Sequence, residues 1–192
     1  MVKIGFVVEG PSEKKLIESA NFRELCSRLG IEICTPIILI GGVGDTGRDI
    51  TGFISDCRNQ AKPERVLVLV DLENAACFTG RKEKLIGWKT ADRTVLAKRN
   101  LEAWFMADTE AFARWAENKG CVPFPEMYQD NFAWLKELCN EIGLKRGTGV
   151  DHLSFAKVML NKHDFSLERA AQHPHCSSAQ YLLDTLKALS SV

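Results

Sequence analysis

Apolar and polar positions in the first hundred residues alternate between two kinds of segment. "VKIGFVVEG" at 2–10 and "PERVLVLVDLE" at 63–73 each carry a short apolar run that ends in acids, the pattern of a buried strand. "IEICTPIILIGG" at 31–42 reads as another strand, closed by glycines and marked by Pro36 as irregular or at an edge. "RTVLAKRN" at 93–100 is a fourth. After the first strand, "SEKKLIESANFRELCSRLG" sets Leu16, Ile17, Phe22, Leu25, Cys26 and Leu29 at helical spacing, with Ser12 as N-cap and Gly30 as stop. "DITGFISDCRNQAK" at 49–62 is a second, weaker helix.

From Leu101 the period is helical only. "LEAWFMADTEAFARWAENKG" carries a break at Asp108-Thr109 that can cap a second helix. "DNFAWLKELCNEIG", "DHLSFAKVMLNK" and "SAQYLLDTLKALS" follow as amphipathic helices. The expected architecture is α/β: a small four-stranded parallel sheet flanked by helices over residues 1–100, then a helical extension over 101–192. With no internal repeat and no low-complexity linker, the two parts are expected to pack as a single structural unit.

Composition narrows the class. An apolar share of 45% over 192 residues allows a real core. No segment reaches the roughly 18 uninterrupted apolar residues that span a bilayer, so no membrane partner is expected. The N-terminal run is short, ends at Glu9 and has no small-residue cleavage pattern, so a cytoplasmic location is the expectation. Seven scattered cysteines without a C-x-x-C read as reduced thiols serving as small hydrophobes. A formal net charge of zero excludes a polycation built to coat nucleic acid. Charge is uneven, however. Residues 78–99 hold Arg81, Lys82, Lys84, Lys89, Arg93, Lys98 and Arg99 against Glu83 and Asp92. That stretch suits either a local polyanion contact or a solvated surface loop.

Candidate chemistry sits at the strand ends. Glu9 closes the first strand in "VVEGPSE", and Asp71 and Glu73 close the third in "VLVDLE". In a doubly wound sheet the carboxyl ends of neighbouring parallel strands open on one crevice. If strands one and three are neighbours, three carboxylates meet there and cannot all stay ionised without a counter-charge. A hard divalent cation such as Mg²⁺ is the natural partner for that donor set. Taken singly, Glu9 can cap the following turn and "DLE" can end a strand in solvent. Their joint appearance after strands one and three favours the shared crevice.

These residues resemble the TOPRIM (topoisomerase–primase) domain, whose signature is a Glu after the first strand and D-x-D after the third. Here the second motif is D-x-E, which keeps both carboxylates on one side. With "KRNLEAWFMAD" at 98–108 and the tail "HPHCSSAQYLLDTLKAL", the chain is similar to the TOPRIM-like family known as domain of unknown function 4276. The resemblance implies a Rossmann-like core and Mg²⁺- or Mn²⁺-dependent hydrolysis of DNA or RNA phosphodiesters. It also implies kinship with overcoming-lysogenization-defect type nucleases, which often work with an ABC-type ATPase in bacterial anti-phage defence. Carried over, Glu9, Asp71 and Glu73 are metal ligands, with Glu9 alternatively a general base. Glu102 of "NLEAW" joins the catalytic set or stabilises its own helix as a first-turn acid. Lys98, Arg99, Arg81 and Lys82 are candidate contacts to the nucleic-acid backbone. A non-catalytic regulator that binds nucleotide, nucleic acid or protein is the alternative.

Other signals are weaker. "GVGDTGRD" at 42–49 has P-loop glycine spacing but Arg48-Asp49 where Lys-Ser/Thr would hold phosphate, and it follows the wrong strand. The glycine loop at 41–49 can still wall the crevice, and Lys145 and Arg146 in "KRGTGVDH" can touch a phosphate. "HPHC" at 173–176 lacks the ligand spacing of a zinc site. Lys157 either snorkels from a core edge or binds phosphate. Trp88, Trp104, Trp115 and Trp134 stack on bases or fill the core, and Trp104 beside Phe105 suits the core.

Overall fold

The computed structural model describes residues 1–41, 48–73, 75, 77–119, 122–144 and 151–190. The glycine loop at 42–47 and the Lys145-Arg146 segment lie outside the described residues.

Strand β1 (Val2–Val8) is followed by helices α1 (Pro11–Glu18) and α2 (Ala20–Arg28), then β2 (Ile31–Ile33) and β3 (Ile38–Leu39). Next come β4 (Arg48–Asp49), α3 (Thr51–Ala61), β5 (Arg65–Asp71), α4 (Phe78–Lys84) and β6 (Leu85–Ile86). A 3₁₀ turn at Trp88–Thr90 leads into β7 (Arg93–Ala97). The remainder is helical: α5 (Glu102–Ala107), α6 (Thr109–Trp115), α7 (Asn131–Glu141), α8 (His152–Lys162), α9 (Leu167–Gln172) and α10 (Ser177–Ser190).

The main sheet is parallel, in the order β2-β1-β5-β7, with β3 also on β1. Strands one and three of the sequence reading are therefore neighbours, with Val8 opposite Leu69. The expected second strand is split. Residues 31–33 pair with the start of β1 and 38–39 with its end. Pro36 lies between them and has no N–H to give the ladder. A smaller parallel pair, β4-β6, stands apart.

Side chains alternate across the sheet and feed two cores. Ile4, Phe6, Val8, Leu67, Leu69, Val95 and Ala97 pack with α1, α2 and the helices beyond Leu101. Val7, Val66, Val68, Val70 and Leu96 pack against α3 through Ile54 and Cys57. Gly5 marks where α3 comes closest: a Cβ there would stand 2.5 Å from Cys57 Sγ and 2.8 Å from Pro63 Cγ. The larger cluster joins sheet and helical extension without a break, with Trp104, Phe105 and Phe155 fully buried in it.

Local chemistry accounts for three departures from the expected elements. The helix expected over 12–29 breaks at Ser19, whose extended backbone lets its Oγ accept the Phe22 N–H and cap a second helix. The basic stretch from Phe78 forms α4, β6 and the 3₁₀ turn before β7, with Leu85 buried as an anchor. Between α8 and α10 the short α9 starts at Ser166, which accepts the Arg169 N–H. The break at Asp108 is as the sequence suggests, with its carboxylate accepting the Ala111 N–H. Among the described residues, no helix is long and apolar enough to cross a membrane.

Candidate active site

The carboxyl ends of β1, β5 and β7 open into a cleft of about 540 Å³. Glu9 enters it directly off β1, whose ladder continues one step further through Glu9 N–H to the Leu69 carbonyl. Its carboxylate does not drift in solvent. Oε2 accepts the Asp71 backbone N–H at 2.9 Å, and the Arg81 guanidinium lies 3.8 Å from Oε1. Arg81, on α4 and 1% exposed, also donates from Nε to the Asp71 carbonyl at 3.0 Å. One buried cation thus braces the ends of both strands.

Asp71 and Glu73 reach the cleft through a paired backbone kink. Glu73 and Arg99 both hold left-handed backbone, φ 54° and 66°, just past the ends of β5 and β7. Side-chain-bearing residues rarely adopt that region, and a Cβ there is strained by about 1–3 kcal/mol. A 2.7 Å hydrogen bond from Glu73 N–H to the Arg99 carbonyl locks the two kinks together. Both side chains line the cleft. Glu102 arrives from the first turn of α5 and is 2% exposed. All four expected acids therefore meet in one place.

A fifth acid joins them. Glu13 sits on the first turn of α1, where its Oε2 accepts the Gly10 N–H at 2.8 Å. That closed loop turns the carboxylate inward, where it is 5% exposed and lines the same cleft. Burial, followed by the nearby charges of Glu102 and Glu9, pushes the Glu13 carboxyl up to about 7 against the pull of its backbone hydrogen bonds. Asp71 is held well above the usual carboxylate range, first by burial and then by Glu13, Glu102, Glu9 and Glu73. Its Oδ1 is shut from solvent and no donor among the described residues reaches it.

The sequence reading missed Glu13, His152 and Asp130. Glu13 could have been found from its spacing, four residues after a strand-end acid and on the first turn of the next helix. His152 and Asp130 begin or precede helices far along the chain and carry no local signal of convergence; both line the cleft.

The candidate cations are placed unevenly. Arg99 lines the cleft. Arg81 is internal and serves Glu9 and Asp71, so it offers no surface for a strand. Lys82 lies 5.3 Å over the Trp88 ring, and Lys98 pairs with the buried Glu126 at 3.6 Å. Of the weaker signals, Lys157 is exposed on α8, and Trp104 and Trp115 are core. His175 packs on Phe124 and its N–H donates to His173 Nδ1, a local loop arrangement.

The donor set fits a hard divalent cation. It is all carboxylate oxygen, it crowds like charges, and it holds one buried oxygen lacking a hydrogen bond. Several of the carboxylates are held by donors of their own: Glu9 by Asp71, Glu13 by Gly10, Glu102 by His152. As placed, no three acidic, histidine or cysteine groups among the described residues stand so as to hold a metal ion.

No family model and no curated protein matches the chain. Among solved structures it is similar to the C-terminal region of the Burkholderia pseudomallei OLD protein. The likeness covers 97% of this chain and 99% of that one, at 15% identity and a TM-score of 0.48. A likeness at that level assigns no residue a role.

Proposed function

We propose that the chain is a Mg²⁺- or Mn²⁺-dependent nuclease of the TOPRIM kind, hydrolysing DNA or RNA phosphodiesters in the cleft at the ends of β1, β5 and β7. The observation that carries this reading is the convergence of Glu9, Glu13, Asp71, Glu73 and Glu102 around a buried Asp71 oxygen that no donor among the described residues reaches. Glu9, Asp71 and Glu73 would hold the cation, with Glu13 beside them. When bound, the ion supplies an activated water and neutralises charge on the phosphoryl oxygens.

The chain's own residues set the stage for that chemistry. Arg81 fixes the separation of the β1 and β5 ends through Glu9 and the Asp71 carbonyl. Arg99 holds a cationic group at the cleft wall, where a scissile phosphate needs one. Burial raises the Glu13 carboxyl to about 7, so near neutrality it is protonated in part of the molecules. The ATPase partner and the anti-phage role that the resemblance implies belong to the same proposal. Co-purification of an ABC-type ATPase with the tagged chain would support them.

A second reading is a non-catalytic binding module. It is favoured by the engagement of Arg81, Lys82 and Lys98 with groups inside the protein, which leaves Arg99 as the candidate phosphate contact that lines the cleft. The test is incubation of the purified protein with mixed DNA and RNA, with Mg²⁺ or Mn²⁺ and with chelator. Metal-dependent cutting that is lost in Glu9→Gln supports the nuclease. Retention of substrate on the protein without cutting, with any ATPase partner present, supports the module.

A further inference from the structure

Glu102 and His152 form a carboxylate–imidazole dyad on the cleft wall, although 50 residues separate them in the chain. His152 is the first residue of α8, behind an Asp151 N-cap that accepts the Ser154 N–H at 2.7 Å. Its Nδ1 lies 2.9 Å from Glu102 Oε1. The ring stacks on Phe132 with centroids 4.3 Å apart and planes 23° from parallel. Two independent contacts, one in the ring plane and one on its face, therefore fix the imidazole.

The tautomer follows from the carboxylate. A Glu102 carboxylate oxygen accepts the Nδ1 proton, and in the imidazolium the second proton sits on Nε2 at the opposite edge of the ring. Glu102 is 3% exposed as a side chain, whereas His152 is 57% exposed. The buried member anchors and the open member faces the cleft's solvent. A pair that served only to tie α5 to α8 would have no use for that asymmetry. Beyond Glu102, the charges facing the ring are Asp130 and Glu73, both of which favour the imidazolium. The Glu102 hydrogen bond is the largest influence, and it raises His152 above the ordinary imidazole value.

We propose that His152 is the general acid of the nuclease reaction, donating its Nε2 proton to the oxygen that leaves phosphorus, and that Glu102 is the residue positioning it. This rests on the nuclease reading. In the step, the water oxygen forms a bond to phosphorus as the bond from phosphorus to the leaving sugar oxygen breaks. The leaving oxygen keeps that electron pair and takes the Nε2 proton. The attacking water's proton passes to a cleft carboxylate, and His152 regains its own from solvent. One water is consumed and no other reagent is needed.

A leaving group that needs no proton separates this role from a structural one. The probes are an oligonucleotide that the protein cuts, and the same sequence with one bridging sulfur at the 3′ or the 5′ position of the scissile linkage. A thiolate leaves unprotonated. His152→Gln is expected to slow cutting of the all-oxygen strand by about 10²–10⁴-fold, the usual range for general acid catalysis. One of the two sulfur-bridged strands should be cut by this variant at close to the wild-type rate. Glu102→Gln should show the same selectivity with a smaller loss. His152→Asn gives a second variant should the first melt below the assay temperature. Equal slowing on oxygen and sulfur strands overturns the assignment while leaving the nuclease reading intact. Wild-type protein that cuts neither strand overturns the nuclease reading and the general acid with it.

Discussion

Glu73 gives its backbone N–H to the carbonyl of Arg99 at 2.7 Å, and both residues hold left-handed backbone while carrying full side chains. Backbone strain at two facing strand ends thereby brings a carboxylate side chain and a guanidinium side chain to one cleft. Replacing Glu73 by Gly separates the two contributions. The turn accepts Gly without Cβ strain, so thermal stability should stay within about 1 kcal/mol of wild type or rise. Cation affinity, followed by titration calorimetry with Mn²⁺, should fall sharply. A large loss of stability would show that the side chain, not the turn, holds this corner.

Glu13 and Asp71 make stability depend on pH in an unusual direction. Each has a folded-state carboxyl raised above its unfolded value, for Glu13 from 4.5 to about 7. The folded chain holds protons that the unfolded chain releases, so this stabilisation is complete below pH 4.5 and lost as pH rises through about 7. In chelator, the melting temperature of wild type relative to Glu13→Gln should fall between pH 5 and pH 7.5. Added Mg²⁺ should remove most of the difference by supplying the counter-charge. A wild-type melting temperature that holds or rises relative to Glu13→Gln over that range in chelator contradicts the account.

Arg81 is the internal counter-ion of the cleft. Arg81→Met leaves Glu9 without its buried cation and the Asp71 carbonyl without a donor, and should destabilise by about 3–5 kcal/mol in denaturant melts. Adding Glu9→Gln to Arg81→Met should cost less than the sum of the single changes, because the charge left unpaired is also removed. Additive losses would show that the two groups act independently.

The helical extension has its own buried charge pair. Asp108 is fully buried and accepts from Arg169 at 2.8 and 2.9 Å, and from the N–H groups of Ala111 and Ser166. Asp108→Ala strands the Ala111 and Ser166 N–H groups and uncaps α6, while Arg169 keeps the Asp164 carbonyl and the Glu110 and Asp164 carboxylates. A loss of about 1–3 kcal/mol is expected in the same melts. A change under 1 kcal/mol would mean that water replaces the carboxylate at little cost.

The α/β order, the β1–β5 neighbourhood and the meeting of Glu9, Asp71, Glu73 and Glu102 were readable because apolar runs and strand-end acids are local patterns. Strand adjacency then brings their ends together. Glu13 had a local signal, but it resembled an ordinary first-turn acid. Arg81 looked like surface charge because nothing in "TGRKEK" reveals which of its cations turns inward. His152 and Asp130 depend on how α7 and α8 dock against the sheet, and that packing leaves no mark on the residues beside them. The break of the second strand was foreshadowed by Pro36, whereas α9 was too short to show a period.

Because Glu102, Asp130 and His152 stand on the far side of Asn100 from the other acids, the cleft is a seam between two stretches of one polypeptide. A recombination breakpoint at Asn100 would hand one daughter gene a bare cluster of mutually repelling acids. The other would receive Glu102 and His152 without the acids they face. Shuffling this chain with a relative should preserve function only when both stretches travel together.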